Sequence, residues 1–128
     1  MTRTNIQSRS PYGRQIGFSR AVRIGKFIAV SGTAPLGHDG KPAFPGDPYN
    51  QAKYCLEIIR EAIEDCGGKM FNVIRTRVFL TDIANWEEVA RAHKEVFDDI
   101  RPACTFVEVK GLIEENWLVE IEADCIVE

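Results

Sequence analysis

Apolar positions along the chain fall into stretches of period two and stretches of period three to four, broken by Gly and Pro. Residues 18–25 (FSRAVRIG) and 26–35 (KFIAVSGTAP) alternate as two strands, with a reversal near Ile24-Gly25-Lys26. The loop LGHDGKPAFPGDP follows. Then Cys55, Ile58, Ile59, Ala62, Ile63 and Cys66 form one helical stripe. Asp47 suits the N-cap of that helix, Pro48 its first turn and Gly67-Gly68 its end. NVIRTRVFLTD (72–82) reads as a strand. Asn85, with Glu88 three residues on, predicts a capping box for a second helix whose buried side is Val89, His93, Val96 and Phe97. Arg101-Pro102 stops that helix, and ACTFVEV and WLVEIEADCIVE (117–128) are the last two strands. Residues 1–16 read as an N-terminal arm ahead of one domain, 17–128. The order ββ-α-β-α-ββ predicts an α+β fold, a mixed sheet with two helices on one face.

Strand alternation assigns the faces of that sheet. Trp117, Val119, Ile121, Ala123, Cys125 and Val127 make an apolar row that should meet the helices. Glu120, Glu122 and Asp124 then point the other way. Val78 and Leu80 pack inward, which puts Arg75 and Arg77 on the second face with those acids. In the strand after Pro102, Thr105, Val107 and Val109 form one row. Cys104, Phe106 and Glu108 form the other, which the alternation assigns to the second face. A face mixing Arg, Glu and Phe predicts contact with another copy of the protein.

Composition narrows the classes. The length of 128 residues fits one domain. The formal net charge of −3 and pI near 5.5 lack the basic excess of a nucleic-acid binder. No apolar run is long enough for a membrane span, and the polar N-terminal stretch MTRTNIQSRSPYGRQ has no signal-peptide core. A cytoplasmic protein is expected. None of Cys55, Cys66, Cys104 and Cys125 forms a CxxC pair, and the only histidines are His38 and His93, so no metal is expected. Cys55 and Cys66, three turns or roughly 16 Å apart on one helix, are too distant for a disulfide. Reduced thiols fit a cytosolic chain.

The ordered blocks GFSRAV, VSG, Gln51 at the start of the first helix, VFLTD, RPACTFVEV and VEIEA resemble the Rid family. These are the reactive-intermediate deaminases, or YjgF-type proteins. The resemblance implies a chorismate-mutase-like fold and a homotrimer built round a central sheet barrel. It also implies a ligand cleft at each subunit interface and hydrolysis of enamines or imines such as 2-aminoacrylate to a ketoacid and ammonia. Active relatives carry P-A-R-S or P-A-R-T before V-E-V, and that arginine pairs with the substrate carboxylate. Here Cys104 stands in its place. Phe18 replaces a usual tyrosine, and Ala90 a frequent asparagine. The chain therefore resembles an arginine-less branch. The residues left to build a site are Phe18, Ser31, Cys104, Thr105 and Glu120, the last aligned with an acid that orients water. Arg20, two residues after Phe18 and on its face, is the candidate replacement cation.

Each candidate has a plainer reading. Cys104 as a nucleophile needs a base nearby, and His93 is expected on the helix side, away from it. A small packing residue is the favoured role. Glu122 is expected to pair with Arg75 or Arg77, and for Glu120 an ion pair competes evenly with acid–base work. Trp86 and Trp117 read as packing anchors, and His38 as part of a loop turn. The expected protein is a homotrimer binding a small carboxylate-bearing metabolite, without metal, organic cofactor, nucleic acid or membrane. The expected reaction class is C=N or enamine hydrolysis. The alternatives are a non-catalytic, regulatory metabolite-binding trimer and, less favoured, an endoribonuclease.

Overall fold

The computed structural model describes residues 2–128. Six strands form one sheet: β1 (Arg3–Ile6), β2 (Ala21–Ile24), β3 (Phe27–Thr33), β4 (Val73–Leu80), β5 (Ala103–Glu108) and β6 (Val119–Ile126). Their spatial order is β1-β2-β3-β6-β4-β5, antiparallel throughout except for the parallel pair β4–β5. The helices are α1 (Pro11–Ile16), α2 (Pro48–Asp65) and α3 (Trp86–Phe97). Helix α2 lies on β3 and β6, and α3 packs beside α2. The α+β architecture with a mixed sheet matches the sequence expectation. The short helix α1 was not anticipated.

Local chemistry explains the boundaries. Asp47 caps α2 by accepting from the Asn50 N–H at 3.0 Å, Pro48 opens the helix, and Gly67 leaves it at φ 84°. Gly25, at φ 59°, turns β2 into β3. The predicted capping box at Asn85 does not form: the Asn85 side chain makes no capping hydrogen bond. Asp82 instead accepts from Ala84 N–H at 2.9 Å and starts a 3-10 turn, 83–85, that feeds α3. Trp86 is half exposed at 50 %, so only Trp117, at 3 %, is a packing anchor.

The N-terminal arm is part of the sheet. Residues 3–6 pair with 21–24 as β1, and Ser10 caps α1. In the interior, Ile59 and Ile63 of α2 meet Ile28, Val78, Leu80 and Ile121 of the sheet. Cys55, Cys66 and Cys125 are buried there, and all four cysteines are free thiols.

The phase of β5 is opposite to the one read from its sequence. Cys104 pairs with Thr76 and Phe106 with Val78, so both lie on the helix face. Thr105 and Val107 pair with Arg77 and Phe79 and occupy the second face. Glu108, opposite Leu80, also leaves the second face, and its carboxylate accepts from Ile83 N–H at 2.9 Å. As an edge strand, β5 is exposed on both faces apart from Phe106, so its apolar residues carry no clear burial signal.

One buried amide ties three segments together. Gln51 is fully buried; its Nε2 donates to the carbonyls of Ala43 (3.1 Å), Phe44 (3.3 Å) and Asn116 (3.0 Å), and its Oε1 accepts from Leu118 N–H at 2.8 Å. It thereby holds the loop before α2 and the entry to β6. Gln51→Leu keeps the volume but orphans these groups, each at a cost of about 1–3 kcal/mol. A urea melt should therefore show a stability loss of roughly 3 kcal/mol. A loss well below 1 kcal/mol would mean that water replaces the amide.

Candidate active site

At the end of the sheet where β3 gives way to the following loop lies a cavity of about 760 Å³. A β-bulge creates its polar end. Between Val30 and Thr33, β3 carries one residue more than β6, because Val30 pairs with Ala123 and Thr33 with Ile121. Such an insertion bends a strand and re-aims its groups. Here it brings Gly32 against Glu120: a methyl group at Gly32 would sit 2.5 Å from Glu120 Oε2.

Arg20 enters from the neighbouring strand end. Its Nη1 donates to Gly32 O at 2.8 Å and Thr33 Oγ1 at 3.0 Å, and its Nη2 donates to Ser8 Oγ at 3.1 Å. The guanidinium carbon lies 5.5 Å from the centroid of the Phe18 ring, within cation–π range. Phe18 thus supports the cation. Burial pulls the Arg20 pKa below its ordinary value, while the field of Glu120 opposes that shift. Arginine nevertheless stays charged.

Burial pushes the Glu120 carboxyl above the ordinary glutamate value; the Arg20 charge opposes this and Glu122 adds to it. Glu120 makes no hydrogen bond or ion pair among the described residues, and its acceptors face the cavity. The expected ion pair belongs to its neighbours instead: Arg77 Nη1 lies 3.2 Å from both Glu122 Oε1 and Asp124 Oδ2. The Ser31 hydroxyl donates to Ser19 O at 2.6 Å, so toward a ligand Ser31 Oγ can only accept.

The sequence reading overlooked the N-terminal segment, which walls the cavity. Tyr12 stands edge-on to Trp117 with centroids 5.9 Å apart, and its hydroxyl donates to Glu114 Oε2 at 3.1 Å. At the rim Arg9 lies 3.9 Å from Glu61. Trp117 Nε1 is a buried donor with no partner among the described residues. Residues 8–12, Ser-Arg-Ser-Pro-Tyr, show no apolar periodicity and match none of the blocks above, so no motif marked them.

Phe18, Arg20, Ser31 and Glu120 are brought together; Cys104 and Thr105 are not. Both sit on β5, two strands from Glu120 and therefore about 10 Å away across the sheet. Cys104 Sγ lies 3.8 Å from His93 Nε2, a neighbour the sequence did not predict. That nitrogen already meets the fully buried Thr76 hydroxyl at 2.9 Å. One ring nitrogen cannot serve both groups well, and the shorter contact satisfies a group that has no access to water. Cys104, which is exposed, is thus without a free base.

Comparison with known proteins adds the lineage. The profile of the family described as Endoribonuclease L-PSP matches residues 10–127. The chain belongs to the YjgF/Rid family. A Streptomyces coelicolor protein of uncharacterised function is 40% identical over 119 residues, covering 93% of this chain and 88% of that one. A RutC family protein of Pyrococcus abyssi is 30% identical over 106 residues, covering 83% of each chain. The crystal structure of Rv2704 from Mycobacterium tuberculosis, of the YjgF/YER057c/UK114 family, superposes with a TM-score of 0.89 at 40% identity. That match covers 98% of this chain and 100% of the other. This YjgF/Rid-family chain has no helix, among the described residues, long and apolar enough to cross a membrane.

The contact between Gly32 and Glu120 is testable. In Gly32→Ala the new methyl should displace the flexible carboxyl rather than the backbone. Carbon-detected NMR should then show Glu120 titrating above an ordinary glutamate in the wild type and closer to it in the variant, with little change in Tm. An unchanged Glu120 titration would show that Gly32 does not set the carboxyl's position.

Proposed function

We propose that this YjgF/Rid-family protein binds a small carboxylate-bearing metabolite in the cavity and hydrolyses its imine or enamine bond with an oriented water. The observation that carries this reading is a carboxyl without a protein partner, Glu120, facing the same cavity as the cation Arg20. Three Arg20 N–H groups are engaged by protein acceptors. Its Nε–H and one Nη2–H remain to grip a carboxylate, the task done by the arginine of the P-A-R motif in the relatives this chain resembles.

The steps follow from those positions. An enamine first tautomerises to its imine. Ser31 Oγ accepts from the imine N–H. Glu120 as carboxylate takes a proton from water as the water oxygen bonds to the imine carbon and the C=N pair moves to nitrogen. That nitrogen is protonated from Glu120, which then takes the carbinolamine O–H proton and passes it to nitrogen as the C–N bond breaks, leaving C=O and ammonia. A base whose pKa is raised by burial is a stronger proton acceptor than an ordinary carboxylate, which suits general-base work. Thr105 and Cys104 reach the cleft in this reading only from a neighbouring copy. The paired Arg77, Glu122 and Asp124, beside half-buried Phe79 and exposed Val107, support a homotrimer packed through the second face.

Ribonuclease activity, the one in the family's description, finds less support: the net charge is −3, without the basic excess that a phosphate-binding surface carries.

The test is decay of 2-aminoacrylate and its imine, generated by a PLP-dependent lyase. Wild-type protein should accelerate it, Glu120→Gln should lose about 10²–10⁴-fold in kcat, and Arg20→Ala should lose carboxylate affinity. Undiminished decay in Glu120→Gln would overturn the mechanism, and carboxylate binding without turnover would mark a binding or regulatory protein.

Stability carries the opposite sign. A carboxyl whose folded pKa is raised destabilises the fold as pH rises through that value. Glu120→Gln should therefore melt higher than wild type at pH 7, and the gain should shrink as the pH falls and Glu120 takes up its proton. A gain independent of pH would deny the burial cost.

A further inference from the structure

The cavity is much larger than its polar end requires. A volume of about 760 Å³ lies within the range, of order 300–1,000 Å³, of pockets that enclose drug-sized ligands. Arg20, Ser31 and Glu120 cluster round the β3 bulge and would hold the reacting end of a ligand. The wall beyond is apolar. Ile58, which the helical spacing grouped with the buried stripe of α2, is only half-buried and, with Tyr54 one turn before it, instead faces the cavity with Leu36. Across the mouth stands Ile113, 61 % exposed, and Tyr54 packs edge-on to the exposed Phe44 at 6.2 Å.

We infer that the ligand carries a bulky apolar side chain, branched aliphatic or aromatic, which lies on the wall of Leu36, Tyr54, Ile58 and Ile113. This rests on the reading of Arg20 and Glu120 given above. The polar end and the apolar wall share one concavity, so a molecule anchored by its carboxylate at Arg20 extends its side chain along α2. Each buried methylene then favours the larger substrate by roughly fourfold. The acids beside the wall are already engaged: the Glu57 carboxylate is paired with Arg60, and Glu61 lies at the rim with Arg9.

The experiment uses imino acids generated in situ by an amino-acid oxidase from alanine, leucine and phenylalanine, with the full-length protein and with Ile58→Gln. Ile58 is half-buried on a helix surface, so the polar variant should fold; circular dichroism and Tm check this. In the wild type, kcat/KM should rise at least tenfold from the alanine-derived imine to the larger two. Ile58→Gln should compress that ratio, lowering kcat/KM for the two larger imines by more than it lowers that for the alanine-derived one. If the alanine-derived imine is hydrolysed as fast as the others, the inference fails while the proposed reaction stands; a second copy covering the wall would give this result. If no imine is hydrolysed, calorimetric titration with pyruvate, 4-methyl-2-oxopentanoate and phenylpyruvate decides. The same rank order upholds the side-chain preference for a binding protein, and binding of none overturns both readings.

Discussion

A guanidinium withdrawn from water must be given acceptors, and the site is organised around that demand. Arg20 takes the Gly32 carbonyl, the Thr33 hydroxyl and the Ser8 hydroxyl, with the Phe18 ring beneath it. Those contacts join β2, the bulged end of β3 and the segment between β1 and α1. Thr33, almost fully buried, in turn donates to Ser31 O at 2.8 Å, so the bulge is braced from within. Satisfying one cation thus shapes the chain on several sides of the cavity. It leaves Glu120, the nearby acid, without a protein partner.

The same logic on a neutral group anchors the opposite side. The Gln51 amide is buried and bonded to both the loop before α2 and the entry to β6. The phase of β6 follows from that entry: Trp117, Val119 and Ile121 turn into the core, and Glu120 and Glu122 turn out. Glu120 then meets the β3 bulge and escapes the cation that engages Glu122 and Asp124, which is Arg77. Two carboxylates two residues apart on one strand face acquire different surroundings. One is neutralised by an ion pair; the other is held in a cavity where burial raises its proton affinity.

Cys104 illustrates how much can turn on one step of strand phase. On the second face it would have stood among acids and arginines. On the helix face it meets an imidazole, yet one whose nitrogen is already claimed by Thr76, and burial keeps that imidazole's pKa below its ordinary value. The presence of a histidine beside a thiol is therefore not enough for an activated nucleophile.

The sequence by itself determined the main elements beyond the N-terminal segment and named four residues that line the cavity. Helix α2 was legible from Asp47-Pro48, a 3.6-residue stripe and Gly67, and β6 from its strict alternation, because buried periodicity is a local property of the chain. Phe18, Arg20, Ser31 and Glu120 were legible as a group, three of them through the short blocks that resemble the Rid family and Arg20 through its shared face with Phe18. Tertiary structure alone decided the rest. It set the phase of β5, since an edge strand exposed on both sides leaves no burial pattern to read. It drew the supposed N-terminal arm into the sheet and over the cavity. It also decided which hydrogen-bonding groups remain free. That last property depends on distances between residues far apart in the chain: Ser31 spends its hydrogen on Ser19, Arg20 keeps two donors, and Glu120 keeps all its acceptors only once the bulge, the amide of Gln51 and the ion pairs of Arg77 are in place.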